Sequence, residues 1–90
     1  MSDAEMLDAL RDLVQREVLR GRHAGPIAAD AALITSGLID SLRLLKLVER
    51  VRARFGVRID LRATPVTAID TLSDLAAHVR ALRDASSGVT

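Results

Sequence analysis

From Leu42 to Phe55 the chain carries apolar residues at helical spacing, and both ends of that run are punctuated. Leu42, Leu45, Val48, Val51 and Phe55 fall on one face, with Leu44 and Leu47 widening it. The spacing is that of a helix; a strand would alternate at every second residue. Asp40 and Ser41 stand just before the run, and each has a short oxygen-bearing side chain able to accept a hydrogen bond from the first turn's free N–H groups, so one of the two is the expected N-cap. Gly56 is the expected stop, because glycine takes the left-handed conformation that closes a helix. Arg52 and Arg54 oppose the negative end of its dipole.

The other segments supply faces for this helix to pack on. At the start, Ser2 or Asp3 can cap a first helix, with Asp3, Glu5 and Asp8 near its positive end. Met6, Leu7, Leu10, Leu13, Val14 and Val18 form its stripe, and it is expected to end between Leu19 and Gly21. Arg20, Arg22 and His23 follow, then Ala24-Gly25-Pro26, which breaks regular structure. A long loop then runs to Gly37, with Ile27, Leu33 and Ile34 available to fasten it. Connections of that length are uncommon in a small domain and tend to be functional or well anchored.

Val57-Arg58-Ile59-Asp60-Leu61 alternates like a strand, but one strand without a partner is not a stable reading. Thr64-Pro65 reads as an N-cap followed by proline at the first position of a short third helix through Ile69. Asp70 and Thr71 start a last helix, with Asp74 completing a capping-box-like arrangement and Leu72, Leu75, Ala76, Val79 and Leu82 as its stripe. The residues from Ala85 to Thr90 read as a frayed tail, which sets the expected domain at residues 1–85 with 86–90 as tail.

Ninety residues allow one small domain. Hydrophobic residues make up 49% of the chain, yet Phe55 is the only aromatic, so the core must be built from Leu, Val, Ile and Ala. These features predict an all-α fold. The absence of cysteine excludes disulfides and thiolate metal sites. No apolar run is long enough to span a membrane, and the start is acidic where a secretory signal would be basic, so the expectation is a cytoplasmic protein with no membrane association.

Catalytic chemistry finds little support. A nucleophilic serine needs a base within reach, and His23 and His78 are the only histidines, neither at a spacing that suggests a triad. Metal binding lacks ligand spacing, and there is no glycine-rich phosphate loop. The chain is expected to catalyse nothing by itself.

One resemblance accounts for the pattern around Ser41. Gly37-Leu38-Ile39-Asp40-Ser41-Leu42, the exit Phe55-Gly56-Val57-Arg58-Ile59 and the later Ile69-Asp70-Thr71-Leu72-Ser73-Asp74-Leu75-Ala76 together resemble the acyl and peptidyl carrier proteins. The likeness covers roughly Leu33 to Val79. It implies a small four-helix bundle of acyl-carrier-protein type, with a long first loop and a short third helix. It also implies that Ser41 is the attachment point for 4′-phosphopantetheine, whose thiol carries an acyl or aminoacyl group as a thioester. On the same analogy Asp40 helps a phosphopantetheinyl transferase position Ser41. Leu42 is either core or an exposed contact for partners, and Arg43 and Lys46 belong to the partner-recognition surface. The implied partners are that transferase, an adenylating ligase or acyltransferase that loads the arm, and downstream synthase or tailoring enzymes; the protein itself is expected to be a monomer.

Charge separates this chain from the acidic carriers of fatty-acid synthesis. From Ser41 to Arg58 there are six basic residues, Arg43, Lys46, Arg50, Arg52, Arg54 and Arg58, against Glu49 alone, a local balance of +5. Partners docking there should present acidic or apolar surface. The expected role is therefore a free-standing carrier in a specialised pathway, such as polyketide or nonribosomal peptide synthesis, with a fatty-acid role as the alternative. The rival from another class is a small basic nucleic-acid-binding or adaptor module. Against it stand the acidic residues of the first helix and the scarcity of base-stacking aromatics, so no nucleic-acid partner is expected.

Overall fold

In the computed structural model, which describes residues 2–23 and 25–87, three α-helices follow one another: α1 (Asp3–Leu13), α2 (Ser41–Phe55) and α3 (Leu72–Ser87). Ser2 caps α1. Its hydroxyl accepts the Glu5 N–H at 3.1 Å, and the Glu5 carboxylate accepts the Ser2 N–H at 3.4 Å, a reciprocal capping box. Beyond Leu13 the chain keeps winding but widens into a π-helical turn, Val14–Val18. The Leu19 N–H reaches back five residues to the Val14 carbonyl at 2.8 Å. Val14, Val18 and Leu19 are all buried, so the widened segment still faces the core. The chain then leaves the helix at Arg20 (φ 54) and Gly21 (φ 77).

The apolar period of α2 was legible, but its phase was not. The buried side chains are Leu47 and Val51, with Leu44, Val48 and Phe55 half-buried, while Leu42 and Leu45 are 78% and 60% exposed. Both sets have helical spacing, and only the neighbour α2 packs on, the π turn, selects between them. α1 lies against α3, which buries Leu72, Leu75, Ala76 and Val79 and half-buries Leu82, as its stripe predicts. Arg80 of α3 forms an ion pair with Asp3 across that contact.

The fold is all-helical as expected, and of the expected four-helix bundle three α-helices are present among the described residues. The short third helix is a single 3₁₀ turn, Val66–Ala68, and Pro65 stands before it as the N-cap at φ −66 and ψ 148, not inside it. The turn buries none of its own residues. Ile69 must swing into the core, where it is 1% exposed, and at φ −136 it has already left helical geometry. A turn with no buried face has nothing to reward propagation. No strand forms among the described residues, and Val57 and Ile59 instead plug the core from an irregular segment. Thr71 caps the start of α3, accepting the Asp74 N–H at 3.0 Å. The last helix runs to Ser87, further than the tail expected from Ala85. Gly88 to Thr90 of that tail, and Ala24 of the expected Ala24-Gly25-Pro26 break, lie outside the described residues.

The long connection between α1 and α2 is fastened at two places. Its first part is held by α1. Gln15 donates to the Gly25 carbonyl and accepts the Ile27 N–H, both at 3.0 Å, and Arg11 donates to the Ile27 carbonyl at 2.8 Å. Its second part is held by the residues that open α3. The Asp70 carbonyl accepts the Leu33 N–H at 2.6 Å, and the Ala29 carbonyl accepts the Ser73 N–H at 3.0 Å. Ile27, Leu33 and Ile39 are each no more than 1% exposed, so the loop contributes to the core.

Candidate functional site

The stretch from Leu33 to Leu42 places Ser41, and its shape comes from three cooperating features. Asp70 takes the loop backbone in its side chain. One carboxylate oxygen accepts the N–H groups of Ile34 and Thr35 at 2.7 and 2.9 Å, and the other accepts the Thr35 hydroxyl at 2.6 Å. These bonds, the Thr35 hydroxyl foremost, stabilise the charged form and hold the Asp70 carboxyl below its usual range. Gly37 then turns the chain at φ 83, with its N–H on the Ile34 carbonyl at 3.0 Å. A side chain there would be strained in the left-handed region. Finally the Ile39 N–H returns to the Leu33 carbonyl at 2.8 Å, and the Ile39 side chain enters the core. With Ile39 pinned inside, the next residues emerge at the surface.

Asp40 is the N-cap of α2, resolving the choice between Asp40 and Ser41. Its backbone is extended, and one carboxylate oxygen accepts the Arg43 N–H at 2.9 Å. The other pairs with the Arg43 guanidinium at 3.4 Å. Ser41 is therefore the first helical residue. It is exposed, and among the described residues its hydroxyl has no hydrogen-bond partner. A free hydroxyl at a helix N-terminus can accept a phosphoryl group, because the unsatisfied N–H groups and the dipole there favour an anion.

Among the described residues no group hydrogen-bonds that hydroxyl. His23 sits in the loop with Nδ1 at 3.1 Å from the Gly25 carbonyl, and the half-buried His78 lies on α3 with Nε2 unpartnered. Neither meets Ser41. No group of three potential ligands that could hold a metal ion occurs among the described residues. No helix among them is long and apolar enough to cross a membrane.

The residues expected to recognise partners divide. Leu42 resolves as exposed, not core. Arg43 is half-buried and tied to Asp40, while Lys46 is half-buried and has no ion-pair partner among the described residues. The other cations of α2 are not equivalent. Arg50 and Arg54 both lean on Glu17 of the π turn, at 3.7 and 3.2 Å.

Sequence reading missed the residues that position the site from a distance. Asp70 was read only as the start of the last helix, and Gln15 and Arg11 were not singled out. Their partners lie 36, 12 and 16 residues away along the chain. No local pattern marks such pairings.

A family profile described as "Phosphopantetheine attachment site" matches residues 8–79. No curated protein matches the chain.

Proposed function

The chain belongs to the phosphopantetheine-attachment family, whose members carry a covalently attached 4′-phosphopantetheine, and from that premise we propose that Ser41 is the attachment residue. The observation that carries this reading is the exposed, unpartnered Ser41 hydroxyl at the first position of α2, directly after the Asp40 cap. In the transfer, a bond forms between Ser41 Oγ and the phosphorus of coenzyme A that bears the pantetheine. The pyrophosphate bond of coenzyme A breaks, and adenosine 3′,5′-bisphosphate leaves. The Ser41 proton goes to a base of the transferase, because among the described residues no side chain hydrogen-bonds the hydroxyl and the neighbouring Asp40 carboxylate is committed to Arg43. Asp40 fixes Ser41 as the first residue of α2 by capping the Arg43 N–H, and the Asp70 bonds hold the approach loop. Once attached, the arm supplies a thiol that holds an acyl or aminoacyl group as a thioester.

The role is that of a non-catalytic, free-standing carrier presenting its cargo to separate enzymes in a specialised biosynthetic pathway. The cationic balance along α2 supports a partner set other than that of the acidic fatty-acid carriers. Incubation with coenzyme A and a promiscuous phosphopantetheinyl transferase, followed by intact mass measurement, tests the site. The parent chain should gain one phosphopantetheinyl group and Ser41→Ala none. A gain on the variant would move the attachment elsewhere, and no gain on a folded parent, even with its own pathway's transferase, would remove the carrier reading.

A further inference from the structure

Two helix entrances in this chain carry nearly the same four residues, Ile39-Asp40-Ser41-Leu42 at α2 and Ile69-Asp70-Thr71-Leu72 at α3. Both isoleucines are 1% exposed, so each entrance is anchored in the core in the same way. The aspartates and hydroxyls are then used differently. At α2 the aspartate caps the helix, and the Ser41 hydroxyl is left without a partner among the described residues. At α3 the Thr71 hydroxyl is the cap, accepting the Asp74 N–H at 3.0 Å, which leaves the whole carboxylate of Asp70 for another task. That task lies across the chain. Both carboxylate oxygens are engaged by Ile34 and Thr35, and none of these three bonds serves α3.

From Thr35 the hydrogen bonds continue link by link toward Ser41. The Ile34 carbonyl accepts the Gly37 N–H at 3.0 Å, the Leu33 carbonyl accepts the Ile39 N–H at 2.8 Å, and Ile39 leads directly into the Asp40 cap. We infer that Asp70 is a positioning residue for transfer to Ser41: by holding Ile34 and Thr35 it keeps the Gly37 turn, and with it the serine, in the arrangement a transferase engages. Two backbone bonds, from the Leu33 N–H to the Asp70 carbonyl and from the Ser73 N–H to the Ala29 carbonyl, dock the loop on α3 whatever side chain stands at position 70. Loss of the carboxylate therefore loosens the segment from Ile34 to Asp40 without undocking the loop or uncapping α3. A loop that visits several arrangements binds more weakly in proportion to its time in the competent one, and reacts normally once bound. The inference rests on Ser41 as the attachment residue, and adds to it a residue that does not touch the reacting atoms.

The test is initial-rate kinetics of transfer from saturating coenzyme A by a promiscuous phosphopantetheinyl transferase, with the full chain as the varied substrate, alongside amide correlation spectra of the same variants. Asp70→Ala should raise KM roughly tenfold and leave kcat within about twofold of the parent. Asp70→Asn should recover most of that loss, because its amide oxygen still accepts the Ile34 and Thr35 N–H groups and the Thr35 hydroxyl can rotate to accept from the amide nitrogen. Thr35→Val should give a smaller rise in KM, and Thr35→Ser should restore the parent value. In the spectra of Asp70→Ala the Thr35, Gly37 and Ser41 amides should move, while the Asp74 amide stays protected by its Thr71 cap. Leu82→Ala, which trims a half-buried side chain of α3, is the stability control: its thermal midpoint should fall with KM unchanged. A KM indifferent to Asp70→Ala, an equal rise in Leu82→Ala, or a Ser41 amide unmoved by Asp70→Ala would each overturn the proposal. Mass gain on the parent with KM indifferent to Asp70→Ala removes this proposal alone. No mass gain on the folded parent removes the carrier reading, and the proposal with it.

Discussion

In the first half of α2, Leu42 and Leu45 face solvent and Lys46 makes no ion pair among the described residues. In the second half, Leu47 and Val51 are sealed in the core and Arg50 and Arg54 share Glu17. Both halves are made of leucine or valine and basic residues, so composition does not separate them. What separates them is which side chains the fold turns inward and which cations reach Glu17. In the second half Leu47 and Val51 enter the core and two cations share one carboxylate, while in the first half Leu42 and Leu45 stay in water even though Val18 of the π turn lies beside Leu42. The stabilising and the presenting parts of one helix are thus divided along its axis.

The largest effect that would sharpen this contrast comes from truncating one leucine in each half. Leu47→Ala should cost about 2–5 kcal/mol in urea unfolding, because it leaves a cavity in a packed core. Leu42→Ala should stay within about 0.5 kcal/mol of the parent, as expected at an exposed position. Equal costs would abolish the distinction between the halves.

Next in size is the latch that aims the presenting half. Asp70→Ala orphans the Ile34 and Thr35 N–H groups and should cost about 1–3 kcal/mol in the same assay. The pH dependence follows from the depressed carboxyl. The native state holds Asp70 ionised at pH values where the unfolded chain has begun to bind a proton, so its contribution is complete above the ordinary carboxylate range. It is lost as pH falls through that range to the lower folded value. Asp70→Asn should flatten that part of the stability profile, and an unchanged acid limb would remove Asp70 from the account.

Removing the cap, Asp40→Ala, should cost about 1 kcal/mol, seen as fraying of the first turn of α2 in amide exchange while exchange around Val51 stays slow. The smallest effect is expected from Glu17→Gln, at most about 1 kcal/mol, since both of its ion pairs are partly exposed. That variant would also release Arg50 and Arg54.

Much of the architecture was readable because its causes are local. The Asp40 and Gly56 limits of α2, the Ser2 end of α1 and the buried stripe of α3 depend on capping chemistry and on spacing within one segment. Asp40, Ser41 and Leu42 stand together in sequence, but which of the first two caps α2 and whether Leu42 is core or exposed stayed open until the fold was seen. The Thr64-Pro65 signal was a true start, displaced by one residue, but a start signal does not decide how far a helix propagates. That depended on how much of Val66–Ala68 could be buried, and only Ala68 is partly so.

The sequence by itself determined where helices begin and end and which residue can offer a hydroxyl at a helix mouth, because hydrogen-bonding caps and left-handed glycines act over three or four residues. Tertiary structure alone decided which of two equally periodic faces of α2 turned inward, which cations Glu17 removed from the surface, and that Asp70 holds the loop leading to Ser41. Those outcomes depend on which segments come together across long stretches of chain, and the free energy of such a contact belongs to the pair, not to either residue's neighbours in sequence.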